Sequence, residues 1–168
     1  MDERHKGLLP STAANYLDAV RVCLDRHHIS PQKFVLLDDA VEFQALVEWE
    51  LTDERCRDAW ANRDDATRDG AYAVALAATE LLRGLVAIRR AETRTGADYY
   101  IAPVGQAIED LEECLRLEVS GTDLSASKVK QRLREKLAQV SRGGGNLPAL
   151  ACVVGFRAQL IMIQTLEL

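Results

Sequence analysis

Aromatic side chains make up only 5% of the 168 residues, and histidine occurs three times, at His5, His27 and His28. So few rings leave no row of platforms on which unpaired bases could stack. The four cysteines, Cys23, Cys56, Cys114 and Cys152, form no Cys-x-x-Cys pair and have no histidine at ligand spacing. That excludes a structural zinc site and reads as buried thiols in a reducing compartment. No apolar run approaches the length of a bilayer span, and the opening MDERHKGLLPSTAANYL lacks the unbroken apolar stretch of a secretion signal. The chain therefore reads as a cytoplasmic protein with no membrane attachment. Gly143-Gly144-Gly145 has no Gly-x-Gly-x-x-Gly or Gly-Lys-Ser/Thr context, so it marks a loop and not a phosphate cradle. No serine sits in a nucleophile context either, which removes Ser-His-Asp catalysis.

What is present is a hydrophobic share of 48% and a net charge of -5. Length and composition suit one domain over residues 1–168, able to bury a core without staples. The acidic balance argues against coating of the whole surface by a polyanion, while leaving room for a local basic patch.

Tyr16, Leu17, Val20, Cys23 and Leu24 recur at helical spacing and predict an amphipathic helix over Ser11–His28, with His27 and His28 at its end as partners of the last carbonyls. Phe34 to Leu37 suggests a short strand, with Asp38 and Asp39 as the cap of a helix carrying Val41, Phe43, Leu46, Val47 and Trp49. The segment Leu51–Arg68 starts helical and ends in a polar connection. Ala66–Thr93, apolar on nearly every side, predicts a buried central helix whose end, Arg89 to Arg94, lies in solvent. From Thr95-Gly96 the period changes. Asp98-Tyr99-Tyr100-Ile101 reads as a strand, and Leu115 to Gly121 alternates cleanly, Leu115, Leu117 and Val119 on one face against Arg116, Glu118 and Ser120 on the other. An amphipathic helix follows to Ser141 on a stripe of Val129, Leu133, Leu137 and Val140, closed by the glycine loop. Ala149–Ile163 reads as one bent or two buried strands. The expected fold is α/β, with a helical N-terminal extension over 1–65 packed on a core over 66–168 that holds a small mixed sheet and flanking helices.

A helix holding Glu80, a strand opening with Asp98, a strand holding Glu118 and Ser120, a basic helix and a final apolar strand follow one another in that order. This order, with the strings TGADYYI and LRLEVSG, resembles the restriction-endonuclease-like PD-(D/E)XK nuclease superfamily. There, a helix-strand-strand-strand-helix-strand core gathers an aspartate and a Glu-x-Lys pair around a divalent cation. The resemblance implies Mg²⁺-dependent hydrolysis of DNA phosphodiesters, with Asp98 and Glu118 as metal ligands and Glu80 as an auxiliary carboxylate. Ser120 stands where the family has lysine, a poor substitute for a cation beside the attacking water. Some members supply that lysine from the following helix, which here offers Lys128, Lys130 and Lys136; Lys130 is assigned the catalytic part, with Lys128 and Lys136 as auxiliaries.

From Lys128 to Arg142 six basic residues face one acid, Glu135. Lys128, Lys130, Arg132 and Arg134 are thus candidate contacts for nucleic-acid phosphates. Each candidate also has a structural reading: Asp98 as a turn residue, Glu118 as a solvent-facing strand residue, Glu80 as the partner of Arg83 or Arg116, and the basic helix as a solvated face. Ser120 and the acidic charge favour an alternative, a catalytically inactive interaction or regulatory subunit of a bacterial defence or toxin-related system. A third reading is a homo-oligomeric module joined through Trp49, Trp60 and the alanine-rich helix.

Overall fold

The computed structural model describes residues 1, 3–92, 95–106, 110–142 and 147–166. Helix α1 (Pro10–Asp25) leads into an antiparallel hairpin of β1 (Gln32–Asp38) and β2 (Val41–Val47). The short helix α2 (Glu54–Ala59) precedes the long α3 (Arg63–Arg83). Then come β3 (Leu85–Arg90), β4 (Tyr99–Pro103), a single 3₁₀ turn (Leu111–Glu113), β5 (Leu115–Thr122), α4 (Ala126–Arg142), β6 (Ala149–Gly155) and β7 (Leu160–Leu166). The seven strands form one mixed sheet in the order β2-β1-β7-β6-β5-β4-β3. Strands β3, β4 and β5 pair antiparallel; β5 pairs parallel with β6 across the α4 crossover, and β1 pairs parallel with β7.

Two helices cover one face and α4 covers the other. Cys23, Leu76, Tyr99, Leu117, Leu150, Cys152 and Ile163 fill the layer between the sheet and α1/α3. Val129 and Leu133 of α4 pack on Ala151, Val153 and Leu160 in the opposite layer. The alternation read in Leu115–Gly121 holds, since Leu117 and Val119 join the first layer while Glu118 faces α4. Burial pushes the Cys23 and Cys152 thiols up to about 12, which keeps them as inert apolar fillers. No helix among the described residues is long and apolar enough to cross a membrane.

Three sequence expectations are corrected. Residues 41–47 are a strand and not a helix, because Val41, Phe43, Ala45 and Val47 alternate with Glu42, Gln44 and Leu46; Asp39 makes the hairpin turn at φ 49° instead of capping a helix. The N-terminal part is therefore not only helical, and its hairpin extends the same sheet beyond β7. The buried helix ends at Arg83. Gly84 adopts φ 65° as a left-handed cap and returns its N–H to the carbonyls of Glu80 and Thr79, after which Val86 and Ile88 continue as β3. Part of the face suggested for an oligomer contact is used within the chain, since Ala71, Ala75 and Ala78 are buried beneath α1 and the Trp49 indole N–H donates to Asp25 at 2.7 Å, while Leu46 and Leu81 beside it are exposed. Arg94, at the charged end assigned to the long helix, and the loop Gly143–Asn146 lie outside the described residues.

Candidate active site

Strand β4 starts at Tyr99, opposite Leu117, so on the edge away from β6 the stretch of β5 from Glu118 to Thr122 runs on past β4, with Asp98 at its start. A cleft of about 360 Å³ opens there. Its floor is Glu118, Val119, Ser120 and Gly121, one wall is the first half of α3 (Asp64, Thr67, Arg68, Tyr72), and the other is α4 (Arg132, Lys136). Gly121 sets the width of this end. A Cβ at that position would lie 2.4 Å from the Thr67 carbonyl oxygen and 2.9 Å from the Ala71 Cβ, so only glycine lets α3 approach the strand so closely.

Asp98 is clamped by its surroundings. Its N–H donates to the Leu117 carbonyl at 2.8 Å, its Oδ2 accepts from the Val119 N–H at 2.8 Å, and its Oδ1 accepts from the Tyr72 hydroxyl at 2.7 Å. Burial, and after it the negative charge of Asp98, push the Tyr72 phenol well up, so the hydroxyl stays protonated and acts as a donor. Arg90 lies over the rings of Tyr72 and Tyr99 at 4.6 and 4.7 Å and donates to the Tyr72 hydroxyl at 3.0 Å. The Asp98 carboxylate is therefore held in one orientation by hydrogen-bond donors from α3 and β5, with the Arg90 guanidinium of β3 lying 3.6 Å from Oδ1.

Glu118 is 4% exposed. Lys136 Nζ reaches its Oε1 at 2.5 Å, and the Gln139 amide donates to the same oxygen at 3.1 Å. Burial, and after it the charge and hydrogen-bonding closeness of Asp98, raise the Glu118 carboxyl above the ordinary range, and Lys136 only partly offsets them. Two carboxylates thus press together in a poorly solvated place, an arrangement that a proton or a hard cation relieves.

Of the carboxylates and lysines singled out in the sequence, Asp98, Glu118 and Lys136 meet here, with Ser120 in the floor. Three others do not. Glu80 is two turns beyond Tyr72, roughly 12 Å further along α3, where it pairs with Arg4 and with His5 (3.0 Å). Its expected partners are engaged elsewhere, Arg83 with Asp38 and Asp39, and Arg116 with the carbonyls of Leu147 and Thr95. Lys130 is exposed and does not line the cleft, since it precedes Arg132 by two residues, about 200° around the helix. Lys128 donates to Gln131 at 3.0 Å, and with Arg134 and Arg157 it lines the opposite flank of α4. His27 contacts Asp123 at 3.4 Å, and His28 bonds the Phe156 carbonyl at 2.7 Å, so neither serves its own helix end as expected.

Tyr72 escaped the sequence reading, although one signal was there. It is the only large side chain with a polar tip in a run of alanine and leucine, and a buried phenol requires a partner.

The donor set suits Mg²⁺. That ion is commonly held by one or two carboxylates, with water and substrate phosphate completing the shell, and Asp98 and Glu118 are two carboxylates that could hold it beside an open cleft. No group of three or more His, Cys, Asp or Glu side chains among the described residues is placed to hold a metal ion, so this is not a closed protein cage. Comparison of the chain with protein-family models, with curated proteins and with solved structures finds no match in any of the three.

Proposed function

We propose that the cleft is the catalytic centre of a Mg²⁺-dependent nuclease that hydrolyses DNA phosphodiesters on a restriction-endonuclease-like core. The observation that carries this reading is the arrival of Lys136, from the helix after β5, on Glu118 beside Asp98. It supplies from α4 the cation that Ser120 fails to supply from the strand. The element order supports it too: α3, the antiparallel run β3-β4-β5, the crossover α4 and the parallel return β6 follow the sequence that such a core requires.

In this mechanism Asp98 and Glu118 would hold the cation, which would supply polarisation of the scissile phosphate and a lowered pKa for the attacking water. Tyr72 and the Val119 N–H keep the Asp98 oxygens aimed. The Lys136 ammonium orients the water and stabilises charge building on the phosphate oxygens. Water oxygen bonds to phosphorus, one phosphorus–oxygen ester bond breaks, and the strand ends as a phosphate monoester and a hydroxyl.

The test is cleavage of end-labelled DNA in Mg²⁺ and in Mn²⁺ by wild type, Asp98→Asn, Glu118→Gln and Lys136→Met. Wild type should cut and each variant should lose about a hundredfold or more in rate. Ser120 in the floor favours a second reading, a binding subunit of the same fold without catalysis. A wild type that binds DNA and cuts nothing in either metal would establish that one.

A further inference from the structure

Arg132 lines the cleft one turn before Lys136, yet its Nε is shut off from solvent and has no hydrogen-bond partner among the described residues. The other cations that line the cleft are engaged, Lys136 with Glu118 and Gln139 and Arg68 with Asp65 and Asp69. The shielded Nε is out of a ligand's reach, but the two terminal nitrogens are not buried and hold no hydrogen bond or ion pair among the described residues, so the end of the guanidinium is free at the cleft. Arg132 does not use its fork on Asp98 or Glu118, even though both line the same cleft. A planar guanidinium matches a phosphate with two parallel hydrogen bonds, which a lysine cannot do.

Four residues of α-helix advance about 6 Å, so Arg132 sits one turn along the axis from the cation at the reacting centre. Lys128, a further turn back, turns to the opposite flank with Arg134, so the ridge of α4 that faces the cleft is Arg132 and Lys136 at i and i+4. Arg134 and the exposed Lys130 fall on other faces.

We infer that Arg132 anchors the phosphate next to the scissile one, and that a single nucleic-acid strand runs along this ridge of α4. The inference rests on the nuclease reading for its register, but the anchoring itself needs no metal and no turnover.

The experiment measures binding of a short fluorescein-labelled single-stranded oligodeoxynucleotide in EDTA, by anisotropy, between about 50 and 200 mM salt. The proteins are wild type, Arg132→Gln, Arg132→Lys and Arg134→Gln, each first shown to melt cooperatively. Arg132→Gln should weaken binding about tenfold and lower the slope of log affinity against log salt by about 0.7. Arg132→Lys should restore the slope while leaving most of the affinity loss, because the charge returns without the fork. Arg134→Gln should change affinity by no more than about twofold. The inference is overturned if wild type does not bind, if Arg132→Gln binds like wild type, or if Arg134→Gln weakens binding as much. Binding through Arg132 without cleavage in Mg²⁺ would remove the nuclease reading and leave the anchor. Cleavage with an unaffected Arg132→Gln would do the reverse.

Discussion

Tyr72→Phe removes one oxygen atom and leaves the ring, with its contacts to Tyr16 at 5.1 Å and Tyr99 at 5.8 Å between centroids. What disappears is the donor on Asp98 Oδ1 at 2.7 Å and an acceptor for Arg90 at 3.0 Å. A hydrogen bond to a charged group contributes about 1.5–3 kcal/mol, and a neutral one about 0.5–1.5 kcal/mol. For a domain of this size each kcal/mol moves Tm by about 2–4 °C, so loss of the Asp98 bond alone should lower the melting temperature of Tyr72→Phe by roughly 3–12 °C, with the Arg90 bond adding to it. Tyr16→Phe is the control. Tyr16 also accepts from Arg90 (3.2 Å), but its other partner is the neutral Tyr99 hydroxyl at 2.8 Å, so it should cost less. In the Asp98→Asn background the Tyr72 change should cost markedly less than in wild type, which isolates the pairwise coupling. Freed to turn, Asp98 should also bind Mn²⁺ about 10–100-fold more weakly in Tyr72→Phe. Differential scanning calorimetry and urea denaturation give the stabilities. If Tyr16→Phe costs as much as Tyr72→Phe, or if the Asp98 background makes no difference, the clamp on the carboxylate is not what Tyr72 provides.

Gly121→Ala should destabilise by about 1–3 kcal/mol or more, since its methyl meets backbone at the Thr67 carbonyl and not a flexible side chain; a wild-type urea midpoint would show that α3 yields there. The raised Glu118 carboxyl makes the folded protein bind a proton more tightly than the unfolded chain, so this group lowers stability as pH rises from the ordinary Glu value of 4.5 through the raised one. Asp98→Asn should reduce that loss, and an unchanged pH profile of the denaturation midpoint would count against crowding of the two carboxylates. His5 has the opposite sign. Burial lowers its pKa despite Glu80, and its Nδ1 accepts from the Ala87 N–H at 3.0 Å, so it favours the fold above its ordinary 6.5 and that contribution is lost as pH falls through 6.5 toward the lowered value. His5→Gln should flatten the pH dependence of the urea midpoint between about pH 8 and pH 5, and an unaltered slope would dismiss His5 as its source.

The parts of the fold legible in the sequence are those whose period survives burial on one side only. Val129, Leu133 and Val140 mark α4 because its other faces are polar, and Leu117 and Val119 mark β5 because Arg116 and Glu118 point away. Leu85 to Ile88 gave no such contrast. Coming after an alanine-rich helix, they continue an apolar run, and only the left-handed Gly84 shows where it breaks. Residues 41–47 alternate, but Leu46 on the outer face blurs the pattern, and that residue is 63% exposed. His5, close to the start of the sequence, is fully buried against the edge of β3, a long-range pairing with no local signature. At the site, Asp98 and Glu118 were legible from position in the strands. The choice among Lys128, Lys130 and Lys136 was not, because it depends on the rotation of α4 about its own axis, which places Lys136 over Glu118 and turns Lys130 to solvent.

The proposed nuclease chemistry requires Asp98 and Glu118 together to bind a divalent cation. Calorimetric titration of Mn²⁺ into wild type, Asp98→Asn and Glu118→Gln tests it without any substrate. Wild type should bind one ion per chain saturably and both variants should lose that binding, while Glu80→Gln binds as wild type does. Absence of binding in wild type, or binding that persists in both variants, would contradict it.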